Sequence, residues 1–310
     1  MAETKSVLVF GATGTIGTYI FDAILAASPP FERVGIFTSA ATAESKKQLV
    51  EELKAKGVHV HIGDIKNKDD ISKAYSNGYD TVVSAIGRAA IADQILPLEI
   101  AEQTESVKKF FPSEYGTDIE YGPKSKDEPP HQQKLKVRKY IRENIKRLEY
   151  TFLVTGPFAE FYIGKPFGAG GYDVKAKKAI LLGTGKERVS LTTMPDVGKL
   201  LVAALRHPEA SKNKALIVNS FTTTPEEILA EYERQLDTKF EVQIISLEEL
   251  RKMEKEAWEK VGLGATGLIL KRIWTEGGTL YDHRDNEKIG FTSPDTLEVA
   301  VSRAIKAQTE

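Results

Sequence analysis

Four apolar residues, Val7-Leu8-Val9-Phe10, run without a break into Gly11-Ala12-Thr13-Gly14-Thr15-Ile16-Gly17, a G-x-x-G-x-x-G spacing. The segment that follows, Thr18 to Ala27 (TYIFDAILAA), has the apolar spacing of a helix packed on a sheet. Glycines at this spacing carry little by themselves, but a strand before them and a helix after them match the phosphate end of a dinucleotide-binding βαβ unit. That unit needs a tight turn at Gly11, close approach of backbone to a pyrophosphate at Gly14, and close helix packing on the strand at Gly17. Thr13, Thr15 and Ile16 complete the expected cradle.

Short apolar runs and helical patterns keep alternating through the first half, as in a parallel sheet covered on both faces. Strands are expected at Val7 to Phe10, Val34 to Thr38, Val58 to Ile62, Thr81 to Ala85, Lys109 to Pro112 and Tyr150 to Thr155. Helices are expected at Thr15 to Ala27, Glu44 to Lys56, Lys68 to Ser76, Ala89 to Val107 and Gln132 to Lys146. Six βα repeats over residues 1–155 predict an α/β chain with a Rossmann-type, doubly wound parallel sheet that binds NAD(P). Beyond Thr155 the turn signals Gly156-Pro157, Pro166, Gly168, Gly170 and Gly171 crowd together. Residues 156–310 are therefore expected to form a smaller, irregular substrate-binding lobe with some sheet contribution. Within it, strands are expected at Ala179 to Leu182, Val189 to Leu191, Ala215 to Val218 and Phe240 to Ile245. Helices are expected at Met194 to Arg206, Pro225 to Leu236 and Leu247 to Val261. Gly262 to Asp285 reads as a packed loop or a wall facing a substrate.

Charge removes several classes of partner. Lys and Arg total 43 against 44 Asp and Glu, so the chain has no electrostatic footprint for nucleic acid or an anionic membrane. The absence of cysteine excludes disulfides, thiolate catalysis and Cys-based zinc sites. Apolar runs stay below the roughly 18 residues of a membrane span, and Met1 to Lys5 leave no room for a signal peptide before the first strand. A cytoplasmic monomer or homodimer acting on a small molecule is expected.

In NAD sites a carboxylate near the end of the second strand holds the ribose 2′-hydroxyl. Here residues 37 to 42 read Phe-Thr-Ser-Ala-Ala-Thr, with Lys46 and Lys47 on the next helix. Hydroxyls at Thr38 and Ser39 together with an ammonium suit a 2′-phosphate, which predicts NADPH as cofactor. Ser84-Ala85-Ile86-Gly87, after the fourth strand, is placed where backbone commonly borders the adenine ribose of the cofactor. None of the eleven tyrosines is followed by Lys four residues later, the pair that donates the proton in many short-chain reductases. The five histidines form no helical metal pair, and no metal is expected.

Two further segments carry a specific resemblance: Lys109-Phe110-Phe111-Pro112-Ser113-Glu114-Tyr115-Gly116-Thr117-Asp118, and Lys134-Leu135-Lys136-Val137-Arg138-Lys139-Tyr140-Ile141. With the glycine turn, they resemble the atypical short-chain reductases of the isoflavone reductase and phenylcoumaran benzylic ether reductase group, within the NmrA-like family. The resemblance implies that Ser113, Glu114 and Tyr115 close the nicotinamide side of the cleft and that Phe158 lies against the nicotinamide. It also implies that Lys134 is the catalytic lysine, a proton donor or relay while NADPH delivers hydride. Physically, an ammonium near a helix N-terminus and partly buried should have a lowered pKa. Lys136 lies about 200° round the helix and cannot face the same cleft. The chain departs from the plant pattern in lacking an Arg after its second strand, and in carrying Pro129-Pro130-His131-Gln132-Gln133 where an apolar stretch is usual. His131 stands one turn before Lys134, close enough to share its proton, but is expected to be an exposed residue at the helix start. The activity implied is NADPH-dependent reduction of an aromatic or conjugated small molecule, such as an enone, a quinone-like compound or a benzylic ether. The alternative is an NmrA-like redox sensor that binds dinucleotide without turnover.

Overall fold

The protein is described here as a computed structural model covering residues 3–166 and 168–310. Its first six strands are β1 (Ser6–Phe10), β2 (Arg33–Thr38), β3 (His59–Ile62), β4 (Thr81–Ser84), β5 (Lys109–Phe111) and β6 (Glu149–Val154). They alternate with α1 (Thr15–Leu25), α2 (Ala40–Ser45), α3 (Lys47–Ala55), α4 (Lys68–Tyr75), α5 (Ile95–Gln103) and α6 (Gln132–Asn144). Strand residues alternate faces, so β1 feeds two cores at once. Val7 and Val9 pack with Ile20, Ile24 and Leu200 on one face. Leu8 and Phe10 pack with Ile71, Val82, Phe110 and Ile141 on the other. All five residues of β1 are buried, which explains its unbroken apolar sequence.

The second half continues with α7 (Ala159–Ile163), β7 (Gly171–Asp173), β8 (Lys178–Leu182), β9 (Val189–Leu191), α8 (Met194–Arg206) and α9 (Pro208–Ser211). After these come β10 (Lys214–Ile217), β11 (Phe221–Thr223), α10 (Pro225–Leu236), β12 (Glu241–Ile245), α11 (Leu247–Val261), α12 (Thr266–Thr275) and α13 (Leu297–Thr309). The main sheet has seven strands in the order β10-β6-β5-β4-β1-β2-β3, and every pairing in it is parallel. Thus β10 returns from the second half to extend the sheet beyond β6. Helix α8 returns with it and packs on α1, where a Cβ on Gly198 would stand 2.3 Å from the Tyr19 carbonyl oxygen. The remaining strands form a three-stranded sheet, β12-β8-β7, and a β11-β9 pair around a separate core.

Three expected elements differ. The helix expected over Ala89 to Val107 opens as a 3₁₀ stretch, Arg88–Gln94, and its α-helical part, α5, stops at Gln103. The single helix expected over Glu44 to Lys56 is broken at Lys46, whose backbone sits at φ −120° and ψ 34°. The Ser39 hydroxyl caps an earlier start by accepting from the Thr42 N–H at 3.1 Å, a local bond that side-chain periodicity does not register. Within Gly262 to Asp285, residues 266–275 form helix α12, which buries Ile269, Ile273 and Trp274. No helix among the described residues is long and apolar enough to cross a membrane.

Candidate active site

The site forms at the carboxyl ends of β1, β4 and β5, beside the point where the strand order reverses. Ala85 N–H bonds the Phe10 carbonyl at 2.8 Å, and Gly11 turns the chain at φ +77° with so little room that a Cβ would lie 2.6 Å from the Ala85 oxygen. A Cβ on Gly17 would come within 1.9 Å of the Gly11 oxygen. The third glycine therefore closes α1 onto the turn itself, rather than onto the strand as its spacing implies. Gly14 is exposed and serves as N-cap of α1 with no side-chain hydrogen bond. The first amides of the helix, at Thr15 and Ile16, are thus left for an anion.

Lys46 reaches this turn, its Nζ donating to the Thr13 carbonyl at 2.5 Å, whereas Lys47 is simply exposed at the start of α3. Thr38 is buried at the end of β2. No carboxylate stands in residues 37–43. The Ser84 hydroxyl is buried without a hydrogen-bond partner, and a Cβ on Gly87 would meet nothing within 4 Å. Ser113 ties two loops together: its Oγ donates to the Ile86 carbonyl and its N–H to Gln94 Oε1, both at 2.9 Å. A helix start with free amides, an ammonium over the turn and an orphan hydroxyl fit a dinucleotide phosphate chain and its ribose.

Helix α6 presents Lys134, Val137, Arg138 and Ile141 on one buried face, the i, i+3, i+4, i+7 pattern. Lys134 is 8% exposed and its Nζ donates to the Glu114 carbonyl. Burial pushes its ammonium down to about 8, against the attraction of Glu114 and with the repulsion of Arg88 and Arg138. Lys136 is exposed, as helical geometry requires. Arg138, 1% exposed, holds the Glu114 carboxylate in a fork, Nε to Oε1 at 3.0 Å and Nη2 to Oε2 at 3.2 Å, and stacks 4.6 Å over the Phe152 ring. Glu114 thus turns its carboxylate into the protein and offers its carbonyl to Lys134. Gly116 follows, with its carbonyl accepting from the Thr155 and Gly156 amides at 3.1 and 2.9 Å.

These segments enclose a cavity of about 150 Å³ that brings together Lys134, Tyr115 and Phe158 with residues from far along the chain. Phe161 lies 6.0 Å from Phe158, centre to centre, and is 58% exposed at the mouth. Leu270 and Trp274 of α12 form the opposite wall, and Trp274 Nε1 donates to Thr117 Oγ1 at 2.8 Å. The expectation for His131 is overturned: it is 2% exposed and lines this cavity. The turn at Pro129–His131, packed under Tyr121 with ring centres 6.2 Å apart, carries it inward. Burial raises the Tyr115 phenol far above its usual range, with the Glu114 charge adding to it, and raises Tyr162 likewise. Sequence reasoning missed Arg88, Gln94 and Phe161, although Phe161 had a signal, one helical turn after Phe158. Leu270 and Trp274 fall within Gly262 to Asp285, read from its glycines and aromatics as a packed loop or a substrate wall, but neither residue was singled out. Among the described residues no group of three or more His, Asp or Glu side chains could hold a metal ion.

Comparison with known proteins gives a consistent assignment. The chain is 29% identical to isoflavone reductase from Pisum sativum over 268 residues, 81% of this chain and 82% of that protein. In fold it matches the leucoanthocyanidin reductase–NADPH complex from Vitis vinifera, with a TM-score of 0.82, 20% identity, and coverage of 97% and 99% of the two chains. It also matches the structure of AtPrR2 with NADP+ and (+)pinoresinol, with a TM-score of 0.81, 21% identity and full coverage of both, 100%. The sequence pattern of the NmrA-like family covers residues 3–262, and the chain belongs to that family.

Proposed function

We propose that this protein is an NADPH-dependent reductase of an aromatic or conjugated small molecule, an enone, quinone-like compound or benzylic ether. The observation that carries the reading is Lys134: a buried ammonium, its pKa lowered toward neutrality, on the wall of an aromatic cavity lined by the segments that follow β5 and β6. A sensor that only binds dinucleotide has no need of such a group. The plant reductase relative and the NADPH and NADP+ complexes that share the fold support the same reading.

Bound NADPH supplies the hydride, and the residues of this chain supply position and a proton. Gly11 to Gly17 would hold the pyrophosphate against the start of α1, with Gly14 allowing the closest approach. Lys46 would supply the positive charge for a 2′-phosphate, with the Thr38 and Ser39 hydroxyls at the end of β2 and Lys47 on α3 as further candidates. Ser84 to Gly87 would border the cofactor ribose, and Ser113 to Tyr115 and Phe158 the nicotinamide. The ammonium of Lys134 would donate a proton to the substrate oxygen as hydride adds to the carbon conjugated with it, in an enone or quinone, or to the benzylic carbon as its C–O bond breaks, in a benzylic ether. The resulting amine recovers its proton from water. The test is NADPH oxidation with a panel of enones, quinones, isoflavones and lignan-type ethers, with NADH as control. NADPH-dependent turnover of a panel member, faster than with NADH, is expected. Tight NADPH binding with no turnover across the panel would leave the sensor reading in its place.

A further inference from the structure

Most polar side chains on the cavity wall give hydrogen bonds. Lys134, Arg88 and Trp274 can only donate, while Tyr115 and Thr117 can donate or accept. His131 differs. Its Nδ1 lies 2.8 Å from the Ser125 carbonyl, and since a carbonyl only accepts, Nδ1 must carry the proton. In the neutral ring Nε2 is then a bare acceptor. That atom is buried and has no hydrogen-bond partner, in a residue 2% exposed. Among the side-chain nitrogen and oxygen atoms of the described residues lining the cavity, it is the only one confined to accepting.

We propose that His131 is a specificity-determining residue of this cleft, reading a free hydroxyl on the substrate's aromatic ring by accepting its hydrogen bond at Nε2. The proposal rests on the reductase reading for the identity of the cleft and goes beyond it in assigning what the substrate must carry. Burial lowers the imidazole pKa, and the Lys134 and Arg88 charges add to that against the Ser125 bond and the Glu128 charge, which favours the neutral ring whose Nε2 accepts. A phenolic hydroxyl can satisfy Nε2. Its methyl ether cannot, and it leaves a buried acceptor unpaired, which costs enough to discriminate about 10- to 100-fold. A purely structural role, pinning the 125–131 turn through Nδ1, would use none of this and would show no such discrimination.

The experiment pairs 2-, 3- and 4-hydroxychalcone with their methyl ethers as probes. For each pair, kcat/KM with NADPH and the dissociation constant from the protein–NADP+ complex are measured. The parent protein is expected to favour at least one hydroxyl isomer over its ether by about 10- to 100-fold. His131→Phe should bring that ratio close to one with NADPH affinity unchanged, which also reports that the variant is folded. His131→Gln, whose amide oxygen accepts, should retain a clear preference. Parent ratios near one for all three pairs, a His131→Phe variant that keeps the parent's preference, or a His131→Gln variant that behaves as Phe would each overturn the assignment. If no chalcone is reduced, the binding ratios still decide the role of His131, and the missing turnover counts against the reductase reading alone.

Discussion

Lys134 and Lys136 stand two residues apart on α6, yet one is 8% exposed and bonded to the Glu114 carbonyl while the other faces solvent. Replacing Lys134 with Met keeps its aliphatic bulk and deletes the proton, so kcat should fall about 100-fold or more, within the usual range for general acid catalysis. Lys136→Met should cost little. Steady-state kinetics on both variants, with equal losses, would misplace the donor. The ammonium is the active form and its pKa is lowered to about 8, so kcat should be level below that pH and decline as pH rises through it. A profile that rises there instead would mean the amine acts as a base. The glycines make a second contrast. Gly14 is exposed with an ordinary backbone, so Gly14→Val should abolish dinucleotide binding and leave the fold intact by calorimetry and thermal unfolding. Gly11→Ala must hold φ +77° with its Cβ 2.6 Å from a carbonyl oxygen, and should destabilise by about 1–3 kcal/mol or more. Unimpaired nucleotide affinity in Gly14→Val would remove the basis of the cofactor site.

The loop after β5 and helix α6 are joined by a buried ion pair, and that joint aims Lys134, the proposed proton donor. Arg138 forks the Glu114 carboxylate, and both side chains are almost fully buried at 2% and 1% exposure. The guanidinium also reaches Asp118 at 3.1 Å and Glu120 at 2.7 Å. Removing one member strands the other charge in the interior, so Arg138→Met should cost about 3–5 kcal/mol in urea unfolding. Because Glu114 also carries the carbonyl that holds Lys134, activity should fall more than dinucleotide affinity does. Full stability in the variant would show that water reaches Glu114. Most of these elements were legible in the chain: β1, the α1 start, and the bounds of α8, α10 and α11 follow from periodicity and capping. The early start of α2 was not, since one Ser39 hydroxyl bond sets it, and neither was the break at Lys46. Helix α12 was not, because glycines and aromatics blur its apolar spacing and its buried face is defined only by the lobe it packs on.

Across the whole molecule the second half supports the first, with β10 extending the sheet beyond β6 and α8 lying on α1. Gly198 permits that approach, so Gly198→Leu should push the helices apart and lower stability by about 1–3 kcal/mol, the scale of overpacking. Dinucleotide affinity should fall with it, since the start of α1 moves. Denaturant titration and calorimetry on the variant check both effects, and parent-like values would mean that the helices do not pack this closely. The chain by itself determined the glycine turn, the parallel α/β sheet, the lack of a carboxylate after β2 and the face of α6 that carries Lys134. Each depends on side-chain period or turn chemistry within a few residues. Only the tertiary structure decided that His131 is buried with a free acceptor and that the Glu114 carboxylate belongs to Arg138. It also decided that Phe161 and Trp274 wall one cavity. Those facts depend on which distant surfaces meet when the second half of the chain packs on the first, and no local pattern encodes that meeting.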